Sequence, residues 1–557
     1  MTNYPAFAPF PSYNAVNEYE VFRGTHDAFT NLPDDSQLVY LVELHPYSAT
    51  DPRIDLIVLP YPGVTAIGEF QFKYGGGEKT IRLSQSGFIT KPTDSQPNRN
   101  YIGRVSDAIQ IDSSIFGNTD FGASQSFGGI EILNPDGSLD YLYDYYWDDR
   151  DIVVKAGGID FAYDQFKTIF KGKIASISGD ERRILLSIGD NRAQVNQVVV
   201  AGTYGGGGGA DGMPSIAGLS KPLLFGQVFG VQPVLVNYAN QVFQLHDGAI
   251  TSVQYVRDRG VQLTFNANVA DVFAAAAPPP GTYNTSLATG MIRLGSTASG
   301  QVTVDAIGET YAGNMTGVDL AMKILTTRLG IYNLGLSDID VVSFAKNRLD
   351  SPYTQGIYII ETLYGIDILN LLISGIDDYW SFTRTGALFF GCPTIAAAAD
   401  SKIKRIKIDG VSVSSTIPAA YEVDVDYAKN YTVQSTADLA AATTDADRTF
   451  AMQEYRTVIQ TDVSVRAKNK AASIRSFNTL IAGQADANTL LTKLFARYGV
   501  KRQVYEMIIY NPVYKYFVGD NVQLVHNRYG LDAGRNLLLS GISENASSNE
   551  TKITVWG

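Results

Sequence analysis

The residue types that could do chemistry in this chain are few and scattered. Four histidines stand at His26, His45, His246 and His526. None is spaced to share a metal with another, no H-E-x-x-H is present, and the single cysteine, Cys392, cannot complete a Cys/His ligand set. His246-Asp247 has the makings of an acid–base pair. Yet Leu245-His246-Asp247-Gly248 reads as a strand end and its turn, where an Asp carboxylate is favoured because it bonds nearby backbone amides. Asp144-Tyr145-Tyr146-Trp147-Asp148-Asp149-Arg150 mixes carboxylates with aromatics, as sugar-binding clefts do. Carboxylates that cleave a glycosidic bond face one another about 5–9 Å apart, whereas adjacent strand residues point to opposite faces. A solvated turn with aromatic packing is therefore expected there. Gly122-Ala123-Ser124 lacks the G-x-S-x-G elbow. The five glycines at 205–209 would suit a phosphate loop only with a following Lys-Ser/Thr and a strand leading into a helix, and neither is visible. No nucleophile, base and orienting group can be assembled. The expectation is a chain that is not an enzyme, with no catalytic, cofactor-binding or metal-binding residues.

At 557 residues the chain exceeds a single core and should divide into several domains. Its 52 glycines and 33 tyrosines point to many turns and half-buried strands, hence a mainly β fold with a smaller α+β portion. Net charge is −12, which argues against a surface built on phosphate contacts. It suits a conduit through which DNA passes without specific binding, because like charges repel. One cysteine excludes an internal disulfide framework and a multi-cysteine zinc or iron–sulfur site. The first residues, MTNYPAFAPFPSYNA, have neither a basic nor an apolar signal region, and no run approaches the ~20 apolar residues of a membrane span, so cytoplasmic, soluble synthesis is expected.

Residues 1–35 are rich in Pro, Asn and aromatics without a clean period, and read as an extended arm that docks on a neighbour. Residues 36–200 form a β-module, built from strands such as SQLVYLVELHPY, RIDLIVLPYPG, TIRLSQSGFIT, FKTIFKGKIASI and RRILLSIGD. The glycine-rich stretch 201–220 reads as a flexible loop at a subunit contact. Residues 221–310 form a second β-domain, with AAAAPPPGTYNTS an irregular break inside it. Helical periodicity first appears within 311–400, an α+β region. There GVDLAMKILTTRL offers Gly330 as a C-cap, Ser337 and Asp340 suggest a capping box before VVSFAKNRL, and DILNLLISGI precedes the hairpin YWSFTRTGALFFG. Residues 401–500 mix strands with helical character at 445–472 and 486–498, where Asp486 could cap. Residues 501–557 read as a compact barrel-like β-module at the C-terminus.

Within residues 101–190 the order is R-V, a hydroxyl-rich stretch, G-x-I-x-[IL]-x-N-x-D-G-x-L-D, a V-x-V strand, F-x-G-x-I and L-x-[LI]-x-D. It is carried by Arg104, Gly129, Ile130, Asn134, Asp136, Gly137, Leu139, Asp140, Gly172, Ile174 and Asp190. This pattern resembles the N-terminal module of the tail-tip or baseplate hub proteins of long-tailed bacteriophages, which are similar in architecture to the hubs of contractile-tail baseplates. A second block, KPLLFGQVFGVQPVLVNYANQVFQLHDGAI, resembles the segment that follows there. The two blocks cover roughly a quarter of the chain, and neither is a catalytic signature.

The resemblance implies several β-barrel or roll domains of tail-hub type forming a trimeric ring, in which the terminal modules stack so that three chains mimic the sixfold tube. Expected partners are two further copies of the chain, distal tail or tail tube proteins, fibre, spike or plug proteins, and the tape-measure protein. The expected location is the virion tail tip, after synthesis in the host cytoplasm. Some tail-tip proteins are thought to carry an iron–sulfur cluster, whose ligands this chain cannot supply alone. Two rival readings are a receptor-binding or envelope-degrading tail component, lectin or glycan hydrolase, and a secreted adhesin.

Overall fold

The computed structural model describes residues 38–48, 77–107, 109–116, 121–189, 191–404, 408–509, 516–545 and 550–557. The arm at 1–35, the strand expected at RIDLIVLPYPG and Asp190 lie outside the described residues. Among the described residues strands dominate and every α-helix lies at 317 or beyond, so the mainly β expectation with a later α+β portion holds.

The first unit is a nine-stranded sheet. Leu38–Leu44, Arg150–Gly158, Lys167–Gly179, Arg183–Gly189 and Ile130–Leu133 are consecutive neighbours, all antiparallel. Alternation puts Val42, Leu44, Ile152, Val154, Ile184, Leu186, Ile130 and Ile132 into one core, closed by Leu142 and Trp147. Several residues that carry the hub-like pattern form one turn after Ile130–Leu133. Arg104 pairs with the Asp136 carboxylate, Asn134 Oδ1 accepts from the Leu139 amide at 3.0 Å, and Asn134 Nδ2 donates to Asp140 at 2.7 Å. The pattern is thus a turn holding Leu139 against the sheet rather than a ligand site.

Two five-stranded sheets follow. One runs Val261–Gln262, Ser252–Asp258, Val302–Ile307, Leu223–Val231, Gly356–Ile359; the other runs Val234–Asn237, Val242–Gln244, Met291–Leu294, Thr282–Ser286, Thr264–Asn268. Thr282–Ser286 belongs to the stretch read as an irregular break, yet it is an interior strand. The prolines at 278–280 end before it starts, and its Tyr283, Asn284, Thr285 and Ser286 are buried.

The glycine run is not slack. Asp211 turns its carboxylate back to accept the amides of Gly205 at 2.9 Å and Gly207 at 3.1 Å, and Gly206 and Gly208 donate to the Asp211 and Gly212 carbonyls. Gly206, Gly208 and Gly209 hold positive φ, which side-chain-bearing residues resist. The cradle that an anion would fill already holds a carboxylate of the chain itself.

Helix Gly317–Thr327 starts at Thr316, whose hydroxyl accepts from the Asp319 amide, and ends at Arg328; the left-handed residue Gly330 comes two positions later. Asp340 itself caps Val341–Asp350, accepting from Val342 and Ser343, so Ser337 does not open a capping box. Asp486 likewise does not cap its helix, Gln484–Tyr498, which starts from Gly483; its carboxylate accepts the Thr354 amide at 2.9 Å. The helical stretch expected at 445–472 is interrupted. Between helices Asp445–Ala451 and Val463–Lys468 lies the strand Arg456–Thr461, because its β-branched residues pair with Glu422–Tyr427. Helix Gln484–Tyr498 covers that small sheet with Leu490, Leu491 and Leu494.

The last unit is a sheet with the path Ser401–Lys404, Asn521–Val525, Arg535–Asn545, Glu550–Trp556, Arg502–Ile509, Ile408–Ile417. It takes in two strands from before residue 501, together with a ribbon from the first unit.

Candidate functional site: the junction of the two terminal sheets

The strand Gln110–Phe116 leaves the first unit and pairs with Arg535–Asn545 of the last, in the register Gly541↔Ser114 to Asn545↔Gln110. The second arm of the ribbon, Phe121–Phe127, pairs on its far side. The first arm serves both units at different points along its length, since residues 111 and 115, four apart, share a face. Ile111 sits in the core of the first sheet, while Ile115 sits in a second core with Tyr379, Ile417, Val504, Leu538 and Trp556. Ser114 Oγ adds a hydrogen bond to the Ser540 carbonyl at 3.2 Å.

The hairpin Tyr379–Phe382/Leu388–Gly391 reaches into the same junction. Arg384, near its tip, donates to Glu544 Oε2 and to the Tyr516 carbonyl at 2.7 Å, and its guanidinium stacks 4.5 Å from the Phe517 ring centroid. Its own carbonyl accepts from the Lys171 amide at 2.8 Å, on the strand Lys167–Gly179. Glu544 is fully buried. One arginine therefore ties together the first sheet, the last sheet and the middle hairpin. A carboxylate this deep is tolerable only because a guanidinium and its hydrogen bonds replace the lost water. Sequence reading missed both residues. Alternation could not have found the glutamate: residues 537–542 are all buried, and the ladder shifts register between Leu539 and Gly541.

The residues singled out for chemistry are not brought together. His246 is fully buried; its Nδ1 accepts the Leu224 amide at 2.8 Å, so Nε2 carries the proton and donates to Glu309 at 3.1 Å. Asp247 turns away and accepts the Gly202 amide at 2.7 Å. Glu309 also meets Arg328 at 2.9 Å and Lys323 at 3.2 Å. Burial raises its pKa, but the His246 hydrogen bond and then the Arg328 and Lys323 charges outweigh it, taking the group from 4.5 down to about 2. A depressed carboxylate contributes stability above its unfolded pKa and loses it as pH falls through the folded one. Glu309 should therefore supply about 3 kcal/mol at neutral pH, lost between about pH 4.5 and 2. Glu309→Gln is expected to flatten that part of the stability–pH curve, measured by denaturant titration at stepped pH.

Asp148 and Asp149 lie exposed in a turn, with Asp149 at φ 58, while Trp147 is buried and donates from Nε1 to the Leu142 carbonyl at 2.7 Å. His45 approaches Thr80 Oγ1 at 3.4 Å, and His526 Nδ1 accepts the Arg528 amide at 3.3 Å. His26 lies outside the described residues. The Cys392 thiol contacts Thr394 Oγ1 at 3.2 Å, and burial pushes its pKa up, the reverse of what a nucleophile needs. Among the described residues, no group of three His, Cys, Asp or Glu could hold a metal, and no helix is long and apolar enough to cross a membrane.

No family model and no curated protein matches the chain. Solved structures do. A tail protein from Neisseria meningitidis MC58 aligns over 85% of this chain and 95% of its own, at 10% identity and TM-score 0.35. The 43 kDa tail protein of prophage MuSo2 from Shewanella oneidensis aligns over 82% and 93%, at 10% identity and TM-score 0.31. A chain in the virion of a native gene transfer agent particle aligns over 66% and 92%, at 12% identity and TM-score 0.34.

Proposed function

We propose that this chain is the central hub of a phage tail tip or baseplate. In this reading three copies complete the end of the tail tube on one face, hold fibres, a spike or a plug on the other, and line part of the channel for DNA ejection. The observation that carries it is the shared ladder between Gln110–Phe116 and Arg535–Asn545: modules from the two ends of the chain lie side by side as parts of one hydrogen-bonded sheet. Six such modules from three chains would reproduce a sixfold annulus around a bore. Closed cyclic symmetry also removes open sheet edges. The net charge of −12 suits a wall that DNA slides past. The hub's work is mechanical, and it draws on the ladder and the Arg384–Glu544 clamp to move both modules as one body when a receptor is met.

The reading is tested by imaging virions decorated with gold-tagged antibody against this chain. Label confined to the distal end of the tail tube is expected. Label on the capsid, or far out along a fibre, would refute it.

A further inference from the structure

A cleft opens beside the two five-stranded sheets, in a part of the molecule that the module junction does not use. It lies against the strands Val234–Asn237 and Val242–Gln244 and the start of Val302–Ile307, and the segments 218–220, 297–301 and 360–362 complete its walls. Its volume is about 1010 Å³, at the upper end of the roughly 300–1,000 Å³ of small-ligand sites. Among the described residues that line it there is no Lys or Arg, and Glu361 is the one carboxylate.

Two of its groups are held in place from behind. Tyr238 stands 62% exposed, yet its turn is fixed: the buried Gln241 side chain donates to the Tyr238 carbonyl at 2.6 Å and accepts the Ala298 amide at 3.0 Å. The ring is an apolar platform that a rigid turn keeps in water. Gln232 is fixed in the same way, its carbonyl accepting from the buried Tyr358 hydroxyl at 2.9 Å. Gln301 Nε2 donates to Gln232 Oε1 at 3.0 Å, while Gln434 Nε2 donates to Gln301 Oε1 at 3.3 Å. That chain turns the Gln232 amide so that its Nε2 hydrogens are left for a ligand. Groups ordered before a ligand arrives lose less freedom when it binds.

The chemistry of the walls selects the ligand class. A stacking face, a neutral amide donor, the hydroxyls of Thr297 and Thr362 and one carboxylate acceptor match a ring with an apolar C–H face and a rim of hydroxyl groups. A phosphate, sulfate or carboxylate on the ligand would meet Glu361 with no lining cation to offset it. Cleavage is not expected, because glycosidic hydrolysis uses two carboxylates. An extended peptide would have to add to the edge strand Val234–Asn237, which has four residues and a register shift within them. We propose that this cleft binds a short neutral oligosaccharide, with one sugar ring stacked on Tyr238 and its hydroxyls held by Gln232 and Glu361. The assignment does not rest on the hub reading.

The full chain, fluorescently labelled, tests it on an array printed with short neutral oligomers of glucose, galactose, mannose and N-acetylhexosamines. Sialylated and sulfated counterparts and unstructured peptides are printed beside them. Binding to at least one neutral series and to no anionic counterpart is expected. For that glycan, Tyr238→Ala should raise the dissociation constant in calorimetry about tenfold or more, as truncation of an aromatic anchor does. Tyr238→Phe keeps the ring and should bind as the unaltered chain does, and Glu361→Gln should weaken binding by a smaller factor. Both side chains are exposed, so circular dichroism should not change. No neutral glycan bound, binding to anionic glycans only, or an affinity indifferent to Tyr238→Ala would each overturn the proposal. Capture of the peptides alone would assign the cleft to a peptide and overturn it too. Glycan binding by a chain found on the capsid would sink the hub reading alone.

Discussion

Arg384→Ala is expected to loosen the module junction by about 3–5 kcal/mol, the cost of taking the guanidinium away from a buried carboxylate. Glu544 has no exposure to recruit water, and the substitution also removes the bond to the Tyr516 carbonyl and the stacking on Phe517. The loss should appear locally, since opening free energies differ between parts of a large protein. Amide exchange in Gln110–Phe116 and Arg535–Asn545 should accelerate by about 150- to 5,000-fold, while helix Gly317–Thr327 keeps its wild-type rates. Adding Glu544→Gln to Arg384→Ala should recover part of the loss, because a buried neutral amide costs less than a buried charge. Equal acceleration throughout the chain, or none at the junction, would show that this pair does not clamp the modules.

The second large effect is expected at Gly226. Strand Leu223–Val231 changes partner along its length. Residues 223–226 pair with Gly356–Ile359, and residues beyond them pair with Val302–Ile307. Gly226 makes the change at φ +64, donating to the Glu309 carbonyl at 2.9 Å and accepting from the Gly308 amide at 2.8 Å. An added Cβ would lie 2.1 Å from the Gln355 carbonyl oxygen and 2.7 Å from Leu320 Cδ1. Gly226→Ala thus combines left-handed strain, about 1–3 kcal/mol, with overpacking, about 1–3 kcal/mol. A loss of about 4 kcal/mol should lower the melting temperature of the middle region by roughly 8–16 °C in calorimetry. Gly281→Ala is the control: its φ is +78 but nothing lies within 4 Å of the new Cβ, so strain alone acts and the drop should be a few degrees. Equal drops for the two would mean that the close approach at Gly226 is relieved elsewhere.

Local signals were legible where the chain makes its structure from neighbours. The hairpin of Lys167–Gly179 and Arg183–Gly189, the helices starting near Gly317 and Gly365, and the strands after Arg502 follow from alternation, caps and turn residues. The errors fall where distant partners decide. Asp486 looks like a helix cap from its neighbours, but it satisfies the Thr354 amide, 132 residues away. Arg456–Thr461 sits in a helical stretch of sequence, but pairing with Glu422–Tyr427 makes it a strand. The glycine run looked slack because nothing in its composition announces that Asp211 turns back onto its amides. The junction was the least legible part. The hub-like pattern implied that the terminal modules adjoin, but Arg384 reads as an ordinary hairpin-tip residue, and its partner Glu544 lies 160 positions on.

The most direct measurement of the central claim is a three-dimensional reconstruction of the isolated tail tip that resolves lobes of about 100 residues. The account predicts three copies of this chain around an open bore, each giving two adjacent β-lobes, one from each end of the chain, six in all. A single copy on the axis, or a ring in which the two lobes of each chain lie at different heights and never alternate, would contradict it.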